Sequence, residues 1–291
     1  MDIENLRAFI SVAENSSFSR AAEQLFITQP AVSKRIATLE QRLDTRLFDR
    51  IGHRIQLTDG GRILLTRGRL LIQEMEDMQR EVTSLSGEVS GRLQIGTSHH
   101  IGLHRLPPIL RQYPHQYPDV SLDIRFMDSE DACNAVLRGD LEIGIVTLPP
   151  EGQTELQHTL IWDDPLAFIV GNHHPLCNSK KISPAKLASY PAILPATGTY
   201  TRAVLEKAFA PFQPELNVSM SSNYLETIKM LVSVGLGWSV LPKTMVDREL
   251  HSLNVSGICL MRELGVVRHP DRSLSNAASA MLDLLQHCDN S

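Results

Sequence analysis

The chain has 291 residues, of which 42% are hydrophobic and 21% are charged, and its formal net charge is −5. This composition is that of an ordinary globular protein and excludes a disordered or fibrous chain, and the length suggests about two domains. No apolar stretch approaches the roughly 20 residues that cross a bilayer, and the first residues hold no secretory signal, so we expect a cytoplasmic protein without membrane contact.

The first predicted elements are two short helices separated by a tight break. In the first helix, Ala21, Ala22 and Leu25 form an apolar stripe at helical spacing. The break follows at residues 26–27. The side chains of Ala21 and Ala22 are small and allow the second helix to cross the first closely.

The second helix has its polar residues at its N-terminal end. Thr28 is the expected N-cap, and Pro30 lies in the first turn, where its missing N–H breaks no helical bond. The inward stripe consists of Val32, Ile36, Leu39 and Leu43, and the outward face of Gln29, Ser33, Lys34 and Arg35. This layout is typical of a helix-turn-helix, whose second helix enters the major groove of DNA. A helical hairpin with a solvated polar face is the alternative.

Two short strands around a glycine turn are predicted next, within residues 47–57, and they indicate a wing. Its basic residues would lie near the phosphates beside the groove. The predicted DNA contacts are therefore Gln29, Pro30, Ser33, Lys34, Arg35, Arg50, His53 and Arg54.

A long helical pattern runs through residues 58–85. Its apolar seam consists of Leu64, Leu71, Met75, Met78, Val82 and Leu85, with Gly68 in the remaining slot, where two helices could approach closely. The N-terminal region before this helix, called the head below, is small and offers little surface for so narrow a seam. The seam therefore predicts a homodimer. A single amphipathic helix packed on its own domain is the alternative.

Glycine and serine at residues 86–91 end this helix and mark the clearest domain boundary. Beyond it, strands are predicted at 92–97, 121–126, 141–147, 166–170, 192–194, 217–219 and 238–241. Helices are predicted at 103–113, 129–138, 200–212, 224–234 and 274–288. Repeated βα units imply an α/β fold with mostly parallel sheets, and the late return of the last helix suggests two subdomains.

The charge differs between the two regions. Residues 1–70 hold eleven Lys or Arg against eight Asp or Glu, a net of +3, whereas residues 71–291 hold seventeen against twenty-five, a net of −8. The mildly basic N-terminal region favours specific binding of duplex DNA. The acidic remainder of the chain disfavours non-specific electrostatic binding along DNA.

Polar residues follow several predicted strands in the second region. Ligands of open α/β sheets bind beyond the carboxyl ends of strands, where helix N-termini favour anions. The candidate ligand-binding residues are Ser98, His99, His100, Asp128, Ser129, Thr147, Thr197, Thr199, Thr201 and Asn223. For Ser98 and Thr199, a plain helix N-cap is the alternative, and both roles are compatible.

The sequence contains no convincing metal-binding or catalytic motif. His99 and His100 are adjacent and do not share a helix face, and no Cys or carboxylate stands nearby in sequence at ligand spacing, so we predict no metal and no cofactor. The four cysteines form no C-x-x-C motif, which favours free thiols over a redox pair. No nucleophile-elbow, phosphate-loop or zinc-protease motif occurs in a usable context, so we do not expect an enzyme.

The head resembles the DNA-binding domain of LysR-type transcriptional regulators. The resemblance rests on Leu6 and Phe9, on SFSRAAEQL, TQPAVSKRIATLE and LFDR, and on Leu57-Thr58 followed by Gly61, all in one order. In the second region, VSVGLGWSVLP matches a run of the same family. Glu142 stands where that family more often has Asp, with no evident functional cost.

This resemblance implies a winged helix-turn-helix, a long linker helix and a two-lobed α/β effector domain of the type II periplasmic-binding-protein fold. The expected bounds are 1–58, 59–87 and 88–291, with lobe I at about 91–162 and 267–291 and lobe II at about 163–266. The implied partners are double-stranded promoter DNA, a second copy paired through the linker helix within a homotetramer, and a small organic acid or other anionic effector.

Two other functions remain open at this point. An effector-independent, nucleoid-type DNA-binding protein would share the head. A two-lobed small-molecule transport protein would share the second region, but the missing secretory signal and the N-terminal helix-turn-helix argue against it.

Overall fold

A computed structural model describes residues 2–51, 54–84, 87–150, 152, 154–213 and 215–287. The chain divides into two compact units, Met1–Ser86 and Gly87–Ser291. None of the helices in the described ranges combines the length and the apolar character needed to cross a bilayer.

The first unit contains four helices and one hairpin within the described residues. They are α1 (Ile3–Asn15), α2 (Phe18–Gln24), α3 (Gln29–Leu43), β1 (Phe48–Ile51), β2 (Arg54–Leu57) and α4 (Asp59–Ser84). The predicted N-cap is confirmed, because the Thr28 hydroxyl accepts from the Ala31 N–H at 3.4 Å. The strands pair antiparallel, with Phe48 opposite Leu57.

The core of this unit joins α1, α2 and α3 to the first strand. The rings of Phe9 and Phe18 lie 5.3 and 5.9 Å from that of Phe48. The inward stripe of α3 is buried as predicted except at its last member, Leu43, which is exposed at the helix end. The break between α2 and α3 places Phe26 at a φ of 54°, a left-handed conformation that bulky residues seldom adopt.

Helix α4 corrects part of the predicted seam. A Cβ on Gly68 would lie 2.7 Å from Leu6 Cδ1. The space beside this glycine is therefore occupied by Leu6 of the same chain and is not where a second helix packs. Leu64 also packs on the head core. The exposed apolar side chains are Ile63, Leu70, Leu71, Met75, Met78 and Val82, and Leu85 lies outside the described residues.

The second unit alternates strands and helices. Its strands are β3 (Gly91–Thr97), β4 (Val120–Phe126), β5 (Ile143–Thr147), β6 (Gln157–Gly171), β7 (Ala192–Leu194), β8 (Val218–Ser221), β9 (Ser239–Pro242), β10 (Leu250–Leu253) and β11 (Leu260–Arg268). Its helices are α5 (His99–His104), α6 (Pro107–Gln116), α7 (Ser129–Leu137), α8 (Pro184–Ala188), α9 (Tyr200–Phe209), α10 (Leu225–Ser233) and α11 (Asn276–His287).

The main sheet is mixed, which corrects the prediction of mostly parallel sheets. Its order is β10-β6-β11-β5-β3-β4, and β9 also pairs with β6. Strand β3 runs parallel to β4 and β5, whereas β11 runs antiparallel to both β5 and β6. The sequence does not predict β10, β11 or α8, and it predicts one helix where α5 and α6 are separate because Pro107 begins a new helix.

Two long strands connect the two lobes of this unit. Strand β6 supplies Trp162 to the core of the first lobe and Phe168 to the core of the second. Strand β11 supplies Leu264 to the first lobe and Leu260 to the second. The return crossing therefore lies a few residues before the predicted boundary at 266–267. Asp164 faces Arg262 across these strands at the crossing.

Candidate functional site

The N-terminal turns of α3 present polar groups to solvent. Gln29, Pro30 and Lys34 are exposed, and Ser33 is half-buried. The Gln29 amide donates to the Ser33 hydroxyl at 2.9 Å, so the two side chains form one polar surface. An amide, a hydroxyl and an ammonium group in this arrangement can satisfy the donors and acceptors of base edges or phosphates.

Arg35 is held differently from the other predicted contacts on α3. Its guanidinium forms an ion pair with the Glu4 carboxylate at 3.1 Å, and its side chain is 29% exposed. In the free protein it is therefore engaged with α1. Gln29 is accordingly a better probe of base contact than Arg35.

The wing forms as a hairpin, and the register places Arg50 opposite Ile55 and Ile51 opposite Arg54. His53 lies outside the described residues, as do the side chains of Arg50 and Arg54. Their predicted phosphate contacts stay a prediction.

A small cleft of about 50 Å³ lies between the two lobes of the second unit. It forms where the ends of β3 and β5 meet the starts of α5, α7, α9 and α10. Nine of the ten predicted ligand-binding residues line it: Ser98, His99, His100, Asp128, Ser129, Thr147, Thr199, Thr201 and Asn223. The exception is Thr197, which is exposed in the turn before Gly198 and does not line the cleft.

The hydroxyl groups of the cleft also organise the backbone. Ser98 and Thr199 cap α5 and α9, accepting from the N–H groups of Ile101 at 3.5 Å and Arg202 at 3.3 Å. The Ser129 hydroxyl accepts from the Thr147 N–H at 3.1 Å. Both predicted roles, cap and cleft lining, are thus combined in Ser98 and Thr199.

Hydrogen bonds between the lobes close this cleft. The Asn223 amide donates to the Asp128 carboxylate at 2.6 Å and accepts from the Ala196 N–H at 3.0 Å. The Glu130 carboxylate accepts from the Tyr200 N–H at the start of α9. Burial raises the pKa of the Glu130 carboxyl group above its usual value.

Arg262 is the principal lining residue that the sequence prediction missed. Its Nε donates to Asp164 at 2.6 Å and its Nη1 donates to the Thr201 hydroxyl at 3.0 Å. Its Nη2 is buried and has no hydrogen-bond partner among the described residues. Arg105 also reaches Asp164, at 3.3 Å. No local signal indicates Arg262, because its strand was not predicted.

The histidines of α5 have three different environments. His99 lies against the rings of Phe126 and Tyr224, at 5.5 and 4.9 Å. His100 is buried, and neither ring nitrogen has a partner in the described part of the chain. Burial, aided by the charge of Arg262, lowers the pKa of His100 from 6.5 to about 3, so its ring is neutral. His104 contacts Glu226 of α10 at 2.9 Å.

Comparisons with known proteins cover both units. Residues 3–62 match the model described as bacterial regulatory helix-turn-helix protein, lysR family, and residues 86–289 match the LysR substrate binding domain. A probable RuBisCO transcriptional regulator from Synechocystis sp. is 30% identical over 290 residues, covering 96% of this chain and 84% of the relative. These matches confirm the predicted family resemblance and agree with the prediction of a regulator and not an enzyme.

Solved structures show the same fold. A full-length OxyR variant with a single substitution, from Pseudomonas aeruginosa, is similar with a TM-score of 0.72 and 22% identity, covering 100% of this chain and 95% of that one. The regulatory domain of CcmR from Synechocystis PCC6803, in complex with 2-PG, is similar with a TM-score of 0.62 and 23% identity, covering 69% of this chain and 99% of that one. The predicted fold class is confirmed.

Proposed function

Since this chain belongs to the LysR family of transcriptional regulators, we propose that its head binds promoter DNA specifically through the N-terminus of α3, while its second unit binds a small anionic metabolite between its lobes. Such a regulator acts in the cytoplasm, where its duplex DNA target lies. The two activities reside in separate compact units, so each can be tested by a substitution that leaves the other unit intact.

Base contact by α3 is supported by the exposed amide and hydroxyl at its first turns. Helix-turn-helix proteins place these positions in the major groove, where an amide can bind adenine through two hydrogen bonds. The surplus of basic residues in the head favours the approach to phosphates.

We expect Gln29→Ala to weaken binding to the native operator by about 1–3 kcal/mol, because a bidentate base contact is lost. The loss should be greatest at one base position, and binding to unrelated DNA should change little. Gln41→Ala is the matched control, since Gln41 is exposed near the far end of the same helix. Binding of a set of single-base operator variants, measured at fixed salt, checks this. Equal affinity and preference in both variants would remove Gln29 from the DNA contacts.

Assembly through α4 is supported by the exposed apolar side chains of its second half. Leu71, Met75, Met78 and Val82 recur at spacings of four, three and four residues and are 43–65% exposed. This is the spacing of a coiled-coil seam. We propose that two copies pair along it, which brings two heads to the two halves of a partly palindromic site, and that two dimers form a tetramer.

The class of effector is supported chiefly by one observation, the unpartnered Nη2 of Arg262 in the cleft within the described part of the chain. A buried guanidinium donor without an acceptor is costly, and a carboxylate or phosphate oxygen would satisfy it. Hydroxyl groups and helix N-termini around it can bind the remaining oxygens of a small anion. The CcmR regulatory domain bound to 2-PG provides a precedent for a small molecule in a domain of this fold.

The position of Arg262 suggests how the signal arises. Arg262 and Asp164 face each other where β6 and β11 pass between the lobes. An anion bound to Arg262 therefore acts at the crossing itself. It need only prefer one lobe arrangement to the other by about 1–3 kcal/mol to change how the assembly contacts DNA.

We expect Ser98→Ala to weaken binding of the anionic effector by about 1.5–3 kcal/mol, one hydrogen bond to a charged group. A thermal-shift screen of organic acids, phosphates and amino acids provides the effector, and calorimetry then compares the variants. Ser183→Ala is the matched control, because Ser183 also caps a helix, α8, but does not line the cleft. Equal effector affinity in both variants would contradict this placement of Ser98.

The screen also tests the alternative of an effector-independent DNA-binding protein. If no metabolite changes the melting temperature or operator binding, that alternative is favoured. DNA binding by the Ser98→Ala variant without effector should equal that of the wild type, because Ser98 lies outside the head.

A further inference from the structure

Three potential metal ligands converge at the opening between the lobes. His100 and His104 lie four residues apart on α5, and Glu226 lies on α10. Their ligand atoms all lie within 4.8 Å of one another. The two imidazole rings are 4.9 Å apart between centroids, and His104 Nε2 is 2.9 Å from the Glu226 carboxylate.

This grouping is not visible in the sequence. The adjacent pair His99-His100 is a poor metal site, but His100 and His104 share one face because they are one helical turn apart. The carboxylate comes from a residue 122 positions after His104. Glu226 reaches them only because the lobes face each other.

The state of His100 points to a ligand. Its side chain is only 5% exposed, yet neither ring nitrogen has a hydrogen-bond partner among the described residues. Buried polar groups in folded proteins almost always have a partner. Imidazole nitrogens are common metal ligands, so the unpartnered ring of His100, within the described part of the chain, is available to bind an ion.

The donor set selects the class of ion. Two imidazole nitrogens and one carboxylate oxygen suit Zn²⁺ and related first-row ions, whereas Mg²⁺ and Ca²⁺ prefer oxygen ligands alone. Tetrahedral Zn²⁺ with bonds of about 2.0–2.1 Å leaves its fourth position for water or another ligand. The three donor atoms, which lie within 4.8 Å of one another, must move closer together to surround such an ion.

The charges near the cluster permit a cation. The Glu226 side chain is 41% exposed, and its carboxylate lies 2.9 Å from His104 Nε2. Arg262 and Arg105 are nearby cations, and both are paired with Asp164. The Glu226 carboxylate thus lies beside the two imidazole rings.

We propose that His100, His104 and Glu226 form a Zn²⁺ site that links the two lobes. Ile101 of α5 belongs to the core of the first lobe, and Leu225 and Ile228 of α10 belong to a core of the second. A bound ion would therefore hold the effector cleft closed at one side. This site adds a second ligand to the proposed function and does not require the anion.

The test uses the full-length protein, purified without a histidine tag and stripped of metal with a chelator. Zn²⁺ is titrated by calorimetry, and Co²⁺ serves as a spectroscopic substitute. We expect one strong site per chain, visible absorption bands of a low-coordinate Co²⁺ site, and a melting temperature that rises with Zn²⁺. In Glu226→Gln and His104→Asn, the affinity should fall at least tenfold and the Co²⁺ bands should disappear.

His99→Asn is the matched control, because His99 lies on the same helix but its ring packs against Phe126 and Tyr224. It should keep the strong site. Melting curves in chelator show whether each variant is folded. The Glu226 side chain is 41% exposed, so we expect Glu226→Gln to fold normally. The proposal is overturned if the wild type binds Zn²⁺ no more tightly than Glu226→Gln, or if His99→Asn loses the site equally, which would indicate scattered surface histidines.

Discussion

Replacement of Asp164 by Asn is expected to destabilise the second unit by about 3–5 kcal/mol, the usual cost of removing one partner from a buried ion pair. Asp164 is fully buried and accepts from Arg262 at 2.6 Å and Arg105 at 3.3 Å. Arg262 is itself 4% exposed. The neutral amide would leave a buried guanidinium without a counter-charge.

Replacing the other partner of this ion pair, Arg262, should destabilise the second unit less. In Arg262→Met, Asp164 keeps Arg105 as a counter-ion, and Met fills much of the volume of the arginine stem. Effector binding should nevertheless be lost in this variant, since the unpartnered donor is gone. The pair of variants thus separates the stability of the crossing from recognition of the anion.

Urea unfolding followed by tryptophan fluorescence measures the effect of Asp164→Asn. Both tryptophans, Trp162 and Trp238, lie in the second unit, so the signal reports on it alone. Asp163→Asn is the matched control: Asp163 is exposed and faces Glu263 across the strands, so its loss should be neutral or slightly stabilising. If Asp164→Asn unfolds within about 1 kcal/mol of this control, the crossing does not depend on the ion pair.

The double substitution Met75→Glu and Met78→Glu is expected to separate the proposed dimer. These side chains are 43% and 58% exposed in the single chain, and pairing along α4 would bury them. Ionised carboxylates are costly in an apolar helix interface. Because two linked heads bind two half-sites far more tightly than one, operator affinity should fall by roughly 100-fold or more.

Sedimentation velocity and operator binding check this prediction. Gln79→Glu is the control, because it adds one carboxylate at an exposed position beside the stripe. It should keep the assembly and most of the affinity. A double variant that stays dimeric and binds normally would show that α4 does not form the interface, and melting of the head should be unchanged since these residues lie outside its core.

The surroundings of Gly68 limit where the interface on α4 can begin. The sequence places Gly68 in the dimer seam, but Leu6 of the same chain already occupies the space beside it. The interface is therefore expected to begin near Leu70 and continue towards the end of α4. Periodicity alone identifies an apolar face and does not say which neighbour covers it.

The local features of this protein follow from short stretches of its sequence. Thr28 caps α3, the stripe of that helix faces inward, and Ser98 and Thr199 cap helices at strand ends. Each of these features depends on residues within about one turn of each other. The general rule that ligands of α/β sheets bind beyond the strand ends then assigns these separate positions to one cleft. For that reason nine of the ten predicted cleft residues come together.

The contacts between distant side chains, in contrast, depend on how the whole chain folds. Arg262 bonds to Asp164 across 98 positions, and His104 contacts Glu226 across 122. Strands β6 and β11, which position the first pair, carry charges and a proline where they cross between lobes, so they lack the apolar pattern of a predictable strand. Such contacts follow from the pairing of whole strands and lobes. The energy of this pairing is spread over many residues far apart in the chain, so it cannot be predicted from any short segment.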